Sequence, residues 1–252
     1  MPTCLTQRRI RLTLGYRGTR YAGWAIQNRS SLPTVEAAVE QALERSLGHP
    51  VHVTAAGRTD AGVHAEGQVV SFDTTSRMAG EGLRRVLARW LPEDIWTVAA
   101  ADAPPEFDAR RSAVRRWYRY AIWRSAQVPS EWRGRCLVET QDLDLSAMRH
   151  ASSALLGRHD FASLVTRPAK LGTTERMVFA ADVLEVSTLL LFEICADAYL
   201  KQMVRTIVGT LLWVAQGRWS PDDFRAALSK TDRRAAGPNA PAVGLTLHRI
   251  EY

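Results

Sequence analysis

The 252-residue chain has little lysine and little cysteine. Cys4, Cys136 and Cys195 are odd in number, far apart and in no CxxC spacing. That argues against a disulfide framework and against a zinc site, and it fits a reducing cytoplasm. The six histidines, His49, His52, His64, His150, His159 and His248, include no HxxxH pair and no cysteine at zinc spacing, so no bound metal is expected. The amino-terminal MPTCLTQRRIRL has no apolar h-region. The longest mostly apolar run without charge, Thr206 to Gly217, is well short of the roughly 20 residues that span a bilayer, which speaks against secretion and membrane insertion. Gly57 and Gly62 frame a GxxxxG without the following Lys and Ser or Thr of a phosphate loop, which disfavours nucleotide hydrolysis. There is no low-complexity segment and no exact repeat.

What is present is positive charge. Against 26 acidic residues stand 33 basic ones, for a net charge of +7 and an isoelectric point near 9.8, a balance that favours polyanionic partners such as nucleic acid. Only Lys170, Lys201 and Lys230 are lysine, so 30 of the 33 are arginine. Arginine suits bidentate phosphate contacts and stacking on bases, although codon usage alone produces the same skew.

Hydrophobic periodicity predicts alternating strands and helices. Arg9 to Tyr16 alternates Ile10, Leu12 and Leu14 with polar neighbours, as a half-buried strand does, and ends in the turn-rich YRGTRYAGW. Pro33 and Thr34 open a helix whose Val35, Ala38, Val39, Ala42, Leu43 and Leu47 recur at helical spacing, and Gly48 and Pro50 close it. Val51 to Ala55 reads as a short strand, Ala55 to Gly67 as a loop, and Gln68 to Thr74 as a strand. A helix over Leu83 to Trp90, a strand IWTVAA and an aromatic strand from Arg115 to Arg124 follow. Beyond these the pattern gives a helix from Asp142 to Leu156, strands Met177 to Ser187 and Leu189 to Ala196, and a long helix from Ala198 to Gln216. Ser220, Pro221 and Asp223 cap a further helix running to about Ser229, and Gly244 to Tyr252 is a last strand. The expected fold is α+β, two similar halves (1–135 and 136–252) sharing a mixed, mostly antiparallel sheet flanked by helices.

Three residues stand out chemically. Asp60, alone between two glycines in GRTDAG, is either an Asx-turn residue capping local amides before Gly62 takes a positive φ, or a carboxylate held on a loop as nucleophile or base. Tyr118 lies in RRWYRY, where aromatic and basic residues interleave as on a base-stacking surface; ordinary strand alternation would also place Tyr118 and Tyr120 on one face and Trp117 and Arg119 on the other. Arg205 falls at the edge of an apolar helix stripe made by Leu200, Met203, Val204, Ile207, Val208, Leu211 and Leu212. A carboxylate such as Asp60 is a natural partner for it, and a snorkelling surface arginine is the alternative.

The segment GRTDAGVHAEGQVVSF resembles the active-site signature of the TruA family of tRNA pseudouridine synthases. YRGTRYAGW, LPEDI, FDARRSAVRRWYRY, GRHDFASL, AYLKQMVRTIVGTLL and AVGLTLHRIEY are similar, in order, to that family's other motifs, over nearly the whole chain. The resemblance implies the pseudouridine-synthase fold, with a basic active-site cleft between its two halves. It also implies isomerisation of uridine in the tRNA anticodon stem and loop, without cofactor, by a cytoplasmic homodimer. By the same resemblance Asp60 is the catalytic carboxylate and Tyr118 packs against the target base. Arg205 pairs with Asp60, Arg58 contacts the RNA as the uridine leaves its stack, and Leu245 lines the pocket. Three positions depart from the family pattern: Ala25 for a glutamine, Ala88 for an asparagine and Tyr199 for a phenylalanine. A non-catalytic tRNA-binding protein and a synthase acting on another RNA are the alternatives.

Overall fold

A computed structural model describes residues 7–27, 31–166 and 173–252. Cys4, Lys170 and the first six residues of the amino-terminal MPTCLTQRRIRL segment lie outside the described residues. Cys136 and Cys195 are buried. The chain divides into two compact units, residues 1–114 with 247–252, and residues 115–246. The division expected at residue 135 falls inside the second of these, because the aromatic strand that begins at Arg115 pairs with strands that follow it in sequence.

In the first unit, β1 (Arg8–Tyr16) is the middle of three long antiparallel strands. It pairs with β3 (His64–Thr74) on one side and β4 (Ile95–Ala103) on the other, with Leu12 opposite Val70 and Ala100. Ile10, Leu12 and Leu14 are buried while Arg9, Arg11 and Thr13 are half-buried, which is the alternation read from the sequence. The short β2 (Thr54–Ala55) pairs with β3. Helix α1 (Val35–Leu47) begins where Thr34 Oγ1 accepts the Ala37 N–H and ends at Gly48, whose φ of 76° is left-handed. It buries Val35, Val39, Ala42 and Leu43, and a fully buried Val or Leu contributes about 1.5–3 kcal/mol. Helix α2 (Gly80–Leu87) buries Leu83 and Leu87. The FDARR segment is tied down by Ala109 N–H donating to Ser71 Oγ and by Tyr252 Oη–H donating to the Ala109 carbonyl. Arg11 lies 4.4 Å from the Tyr252 ring centroid.

The second unit is built on β5 (Arg115–Trp123), β6 (Leu137–Val138), β7 (Gly157–Asp160), β8 (Glu175–Val186) and β9 (Leu189–Ala196), hydrogen-bonded in the order β5-β9-β8-β7. These pairings are antiparallel; β6 runs parallel to β5. Helix α3 (Leu145–Ser153) is capped by Asp144, and α5 (Pro221–Leu228) by a capping box in which Ser220 and Asp223 bond reciprocally. Between them in sequence, α4 (Met203–Ala215) is buried nearly all round, leaving Arg205 and Trp213 half-buried. The last strand, β10 (Leu245–Glu251), begins in this unit and continues into the first. Ten strands and five α-helices among the described residues make the protein α+β, with mixed, mostly antiparallel pairing.

Five elements differ in their bounds from the sequence reading. The strand expected from Gln68 starts at His64, because Tyr16 pairs with Ala65 and extends the ladder through a stretch whose polar residues mask the pattern. The strand expected over Val51–Ala55 is only Thr54–Ala55. The helix expected over Leu83–Trp90 lies one turn earlier, and α3 is shorter than Asp142–Leu156 because Asp144 caps it. The helix expected from Ala198 begins at Met203, because Gln202 has φ 61° and breaks the helical path.

Candidate active site

Asp60 lies on the loop between β2 and β3, half-buried, and that loop is stitched to the YRGTRYAGW turn at several points. Thr59 C=O accepts the Trp24 N–H at 3.0 Å, Tyr21 C=O accepts the Gly62 N–H at 3.4 Å, and Gly23 and Asp60 form an isolated antiparallel bridge. The Thr59 hydroxyl is buried 2.8 Å from Tyr16 Oη. Gln68 Nε2 donates to the Gly57 carbonyl at 2.7 Å. Val63 N–H closes a turn onto the Asp60 carbonyl at 3.1 Å, with Gly62 at φ 79°, as the Asx-turn reading anticipated for that glycine. The backbone of the acid is therefore fixed from both sides while Arg58 beside it is exposed.

Two further motif residues complete this frame. His64 is buried, and its Nδ1 accepts the Gly18 N–H at 3.1 Å, which requires that nitrogen to be unprotonated. Gly18 approaches Val63 so closely that a Cβ there would stand 1.9 Å from the Val63 carbonyl oxygen. Asp94 of LPEDI accepts from Arg20 Nε at 2.9 Å and Tyr21 Oη at 2.6 Å, and its carbonyl accepts the Arg17 N–H. Burial by itself raises the Asp94 pKa, but the Arg20 and Tyr21 hydrogen bonds outweigh it and hold the carboxyl below its usual range. Three separate sequence motifs thus meet around the Asp60 loop. The sequence reading did not assign Tyr16, Thr59, His64 or Asp94 a role, although each sits inside a motif it quoted.

Tyr118, Arg205 and Leu245 belong to the second unit. Tyr118 on β5 is 8% exposed, opposite Ile194 of β9, with its ring edge-on to Tyr199 at 5.0 Å between centroids. Tyr118 and Tyr120 are buried and Trp117 and Arg119 half-buried, as strand alternation predicts. The Tyr199 hydroxyl lies 3.0 Å from the Ile194 carbonyl and 3.2 Å from that of Arg116, and burial pushes its pKa well up. Here the departure from phenylalanine adds a polar tie between β5 and β9. Arg205 Nε donates to the Ala240 carbonyl at 2.8 Å, and Ala240 N–H returns a bond to the Arg205 carbonyl at 2.9 Å. Leu245 is 5% exposed at the start of β10. Of the other departures, Ala25 is half-buried next to Trp24, and Ala88 is the exposed residue that ends α2.

Among the described residues no group of three or more His, Cys, Asp or Glu is placed to hold a metal ion, and no helix is long and apolar enough to cross a membrane.

Comparison with known proteins bears on the chemistry. A tRNA pseudouridine synthase family model matches residues 14–110 and 151–252. A tRNA pseudouridine synthase A from Moorella thermoacetica is 41% identical over 249 residues, covering 96% of this chain and 99% of that protein. One from Oleidesulfovibrio alaskensis is 40% identical over 267 residues, covering 97% and 96%. One from an Exiguobacterium species is 40% identical over 245 residues, covering 97% and 98%. The matched regions contain Arg58, Asp60, Arg205 and Leu245, and on this likeness over nearly its full length the chain belongs to the tRNA pseudouridine synthase family.

Proposed function

We propose that the chain isomerises uridine to pseudouridine in the anticodon stem and loop of tRNA, with Asp60 as the catalytic carboxylate. The observation that carries this reading is the acid of the GRTDAGVH motif on a loop whose backbone is fixed on both flanks, in a chain that covers nearly the whole length of relatives named tRNA pseudouridine synthase A. The N1–C1′ bond breaks, the uracil turns within the pocket, and C5 bonds to C1′. C5 gives up a proton and N1 gains one, so the product is an isomer and no oxidant or co-substrate is consumed.

Each side chain has a part in this. Asp60 faces the reacting nucleotide, and Arg205 pairs with it to hold its charge and direction. Tyr118 offers a ring face to a base that has left its neighbours, supported by a ring already seated against Tyr199. Exposed Arg58, two residues from the acid, takes the RNA backbone as the uridine is extruded. Leu245 forms an apolar wall that excludes water from the detached uracil. The enzyme works as a cytoplasmic homodimer with its arginine-rich surface continuous over both subunits, a reading supported by the family resemblance and by the +7 charge.

The test is pseudouridine mapping of an unmodified tRNA transcript incubated with the wild-type protein and with Asp60→Asn, in buffer containing chelator. Product in the anticodon arm from wild type alone, with tRNA binding retained by the variant, is the expected result. A wild type that binds tRNA and yields no pseudouridine would overturn the reading in favour of a binding protein or another RNA substrate.

A further inference from the structure

We propose that Asn239, acting with Gln202, is a positioning residue that sets the direction of the Arg205 guanidinium. The inference deepens the reading of Arg205 as the partner of the catalytic carboxylate and rests on it. It starts from a backbone outlier. Gln202, immediately before α4, has φ 61° and ψ 8°, a left-handed conformation that a residue with a Cβ rarely adopts. Such conformations persist where the surroundings hold them, and they gather at functional sites.

The side-chain amides supply the hold. Gln202 Oε1 accepts Nδ2–H of Asn239 at 2.9 Å and also the Thr166 hydroxyl. Asn239 Oδ1 accepts the Thr206 hydroxyl at 2.6 Å and Arg233 Nη2–H at 3.2 Å. Thr206, on the first turn of α4, is fully buried. One asparagine side chain therefore ties the start of α4 to the loop 237–241. The next residue, Ala240, exchanges two hydrogen bonds with Arg205, one of them to Nε. The guanidinium is a rigid plane, so a fixed Nε–H bond fixes where its other nitrogens point. The Asn239 amide holds the carbonyl that aims Arg205.

The test uses the full-length protein. Asn239→Ala is expected to lower kcat on the order of 10–100-fold while KM for tRNA stays within about 3-fold, as misdirecting one polar group by about an ångström does. Asn239→Asp, which keeps the acceptors for Thr206 and Arg233 but loses the N–H given to Gln202, should recover only part of that loss. On an Arg205→Lys background the same Asn239→Ala change should cost less than about 2-fold, since coupled residues are non-additive. Hydrogen exchange at Arg205 Nε, followed by NMR, should quicken at least about 10-fold in Asn239→Ala once the carbonyl is no longer held. Gln202→Gly, which relaxes the backbone and removes the amide, should act in the same direction and stands in if Asn239→Ala fails to fold. Unchanged Nε exchange overturns the proposal, as does a kcat loss that multiplies in full on the lysine background. Arg205→Lys at wild-type kcat would instead remove the role given to Arg205, separately from what exchange says about its orientation.

Discussion

Gly18→Ala should slow the enzyme by displacing the loop that carries Asp60. Gly18 lies in the turn after β1, and a Cβ there would stand 1.9 Å from the Val63 carbonyl oxygen and 2.6 Å from its carbon. Real Cβ contacts do not fall below 3.0 Å, so the two backbones must part by about 1.1 Å or more. Backbone cannot swing aside as a flexible side chain does. Val63 closes the turn onto the Asp60 carbonyl, so its displacement is passed to the acid. A misplacement of about 1 Å in a catalytic constellation costs on the order of 10²-fold in rate. The same shift breaks the buried bond from Gly18 N–H to His64 Nδ1. Overpacking at about 1–3 kcal/mol and a lost buried hydrogen bond at about 1 kcal/mol together predict a drop in Tm of roughly 5–15 °C.

The assay is initial-rate pseudouridine formation at saturating tRNA, with Tm from calorimetry, beside a control that loses stability without disturbing the loop. Leu43→Ala serves, because Leu43 is fully buried in the last turns of α1, eight residues beyond the helix start that meets Gly23. It should lose about 2–5 kcal/mol of stability and keep kcat below its Tm. Gly18→Ala with a lowered Tm and an undiminished kcat would refute the idea that this close approach holds Asp60. An equal kcat loss in Leu43→Ala would show that general loosening, and not the Gly18–Val63 contact, is what the rate reports.

Other outcomes follow from the same geometry. Tyr199→Phe removes the hydroxyl that bridges the Arg116 and Ile194 carbonyls and should cost about 1 kcal/mol of stability with kcat within about 2-fold, because the ring edge that seats Tyr118 remains; a larger kcat loss would mean the hydroxyl itself is needed. Asp94 titrates below the usual carboxylate range when folded, so its contribution is complete above the unfolded value and is lost as pH falls through the depressed folded one. Asp94→Asn should lower Tm at pH 7 by the equivalent of about 1–3 kcal/mol and flatten the acid limb of Tm against pH; an unchanged limb would assign it to other carboxylates. With arginine supplying nearly all the positive charge, the logarithm of tRNA affinity against that of salt should fall with a slope of about −4 or steeper, and a slope near zero would argue against phosphate-led binding.

The elements that a reader could take from the sequence are those whose cause is local. Ile10, Leu12 and Leu14 alternate because one face of β1 is buried, α1 runs between a threonine cap and a left-handed glycine, and the Ser220–Asp223 box sits four residues wide on the chain. What escaped was tertiary. His64 and Glu66 spoil the apolar pattern of β3, yet they belong to the strand because Tyr16 and Ala65 pair and His248 reaches Glu66 Oε2 at 2.9 Å from a segment far along the chain. The break before α4 is equally invisible to periodicity, since Leu200 and Met203 keep helical spacing while Gln202 turns left-handed between them.

The same division applies to the site. Asp60, Tyr118 and Arg205 announced themselves by residue type, an acid between glycines, an aromatic among arginines, a cation on an apolar helix. The residues that hold them are ordinary by type and become informative only by partner: Thr59 under Tyr16, His64 under Gly18, Asp94 under Arg20 and Tyr21, Asn239 beside Gln202. In the first unit the Asp60 loop is also tied to backbone groups of YRGTRYAGW, at Tyr21 and Trp24, and Gly18 and Gly23 of that motif stand where a side chain would strike the acid's own loop. A motif of this kind encodes a fit between two backbones, and its residues are chosen for what they leave room for. The rate of Gly18→Ala therefore tests the role proposed for the Asp60 loop as directly as a substitution at Asp60 does, by moving the carboxylate without altering its chemistry.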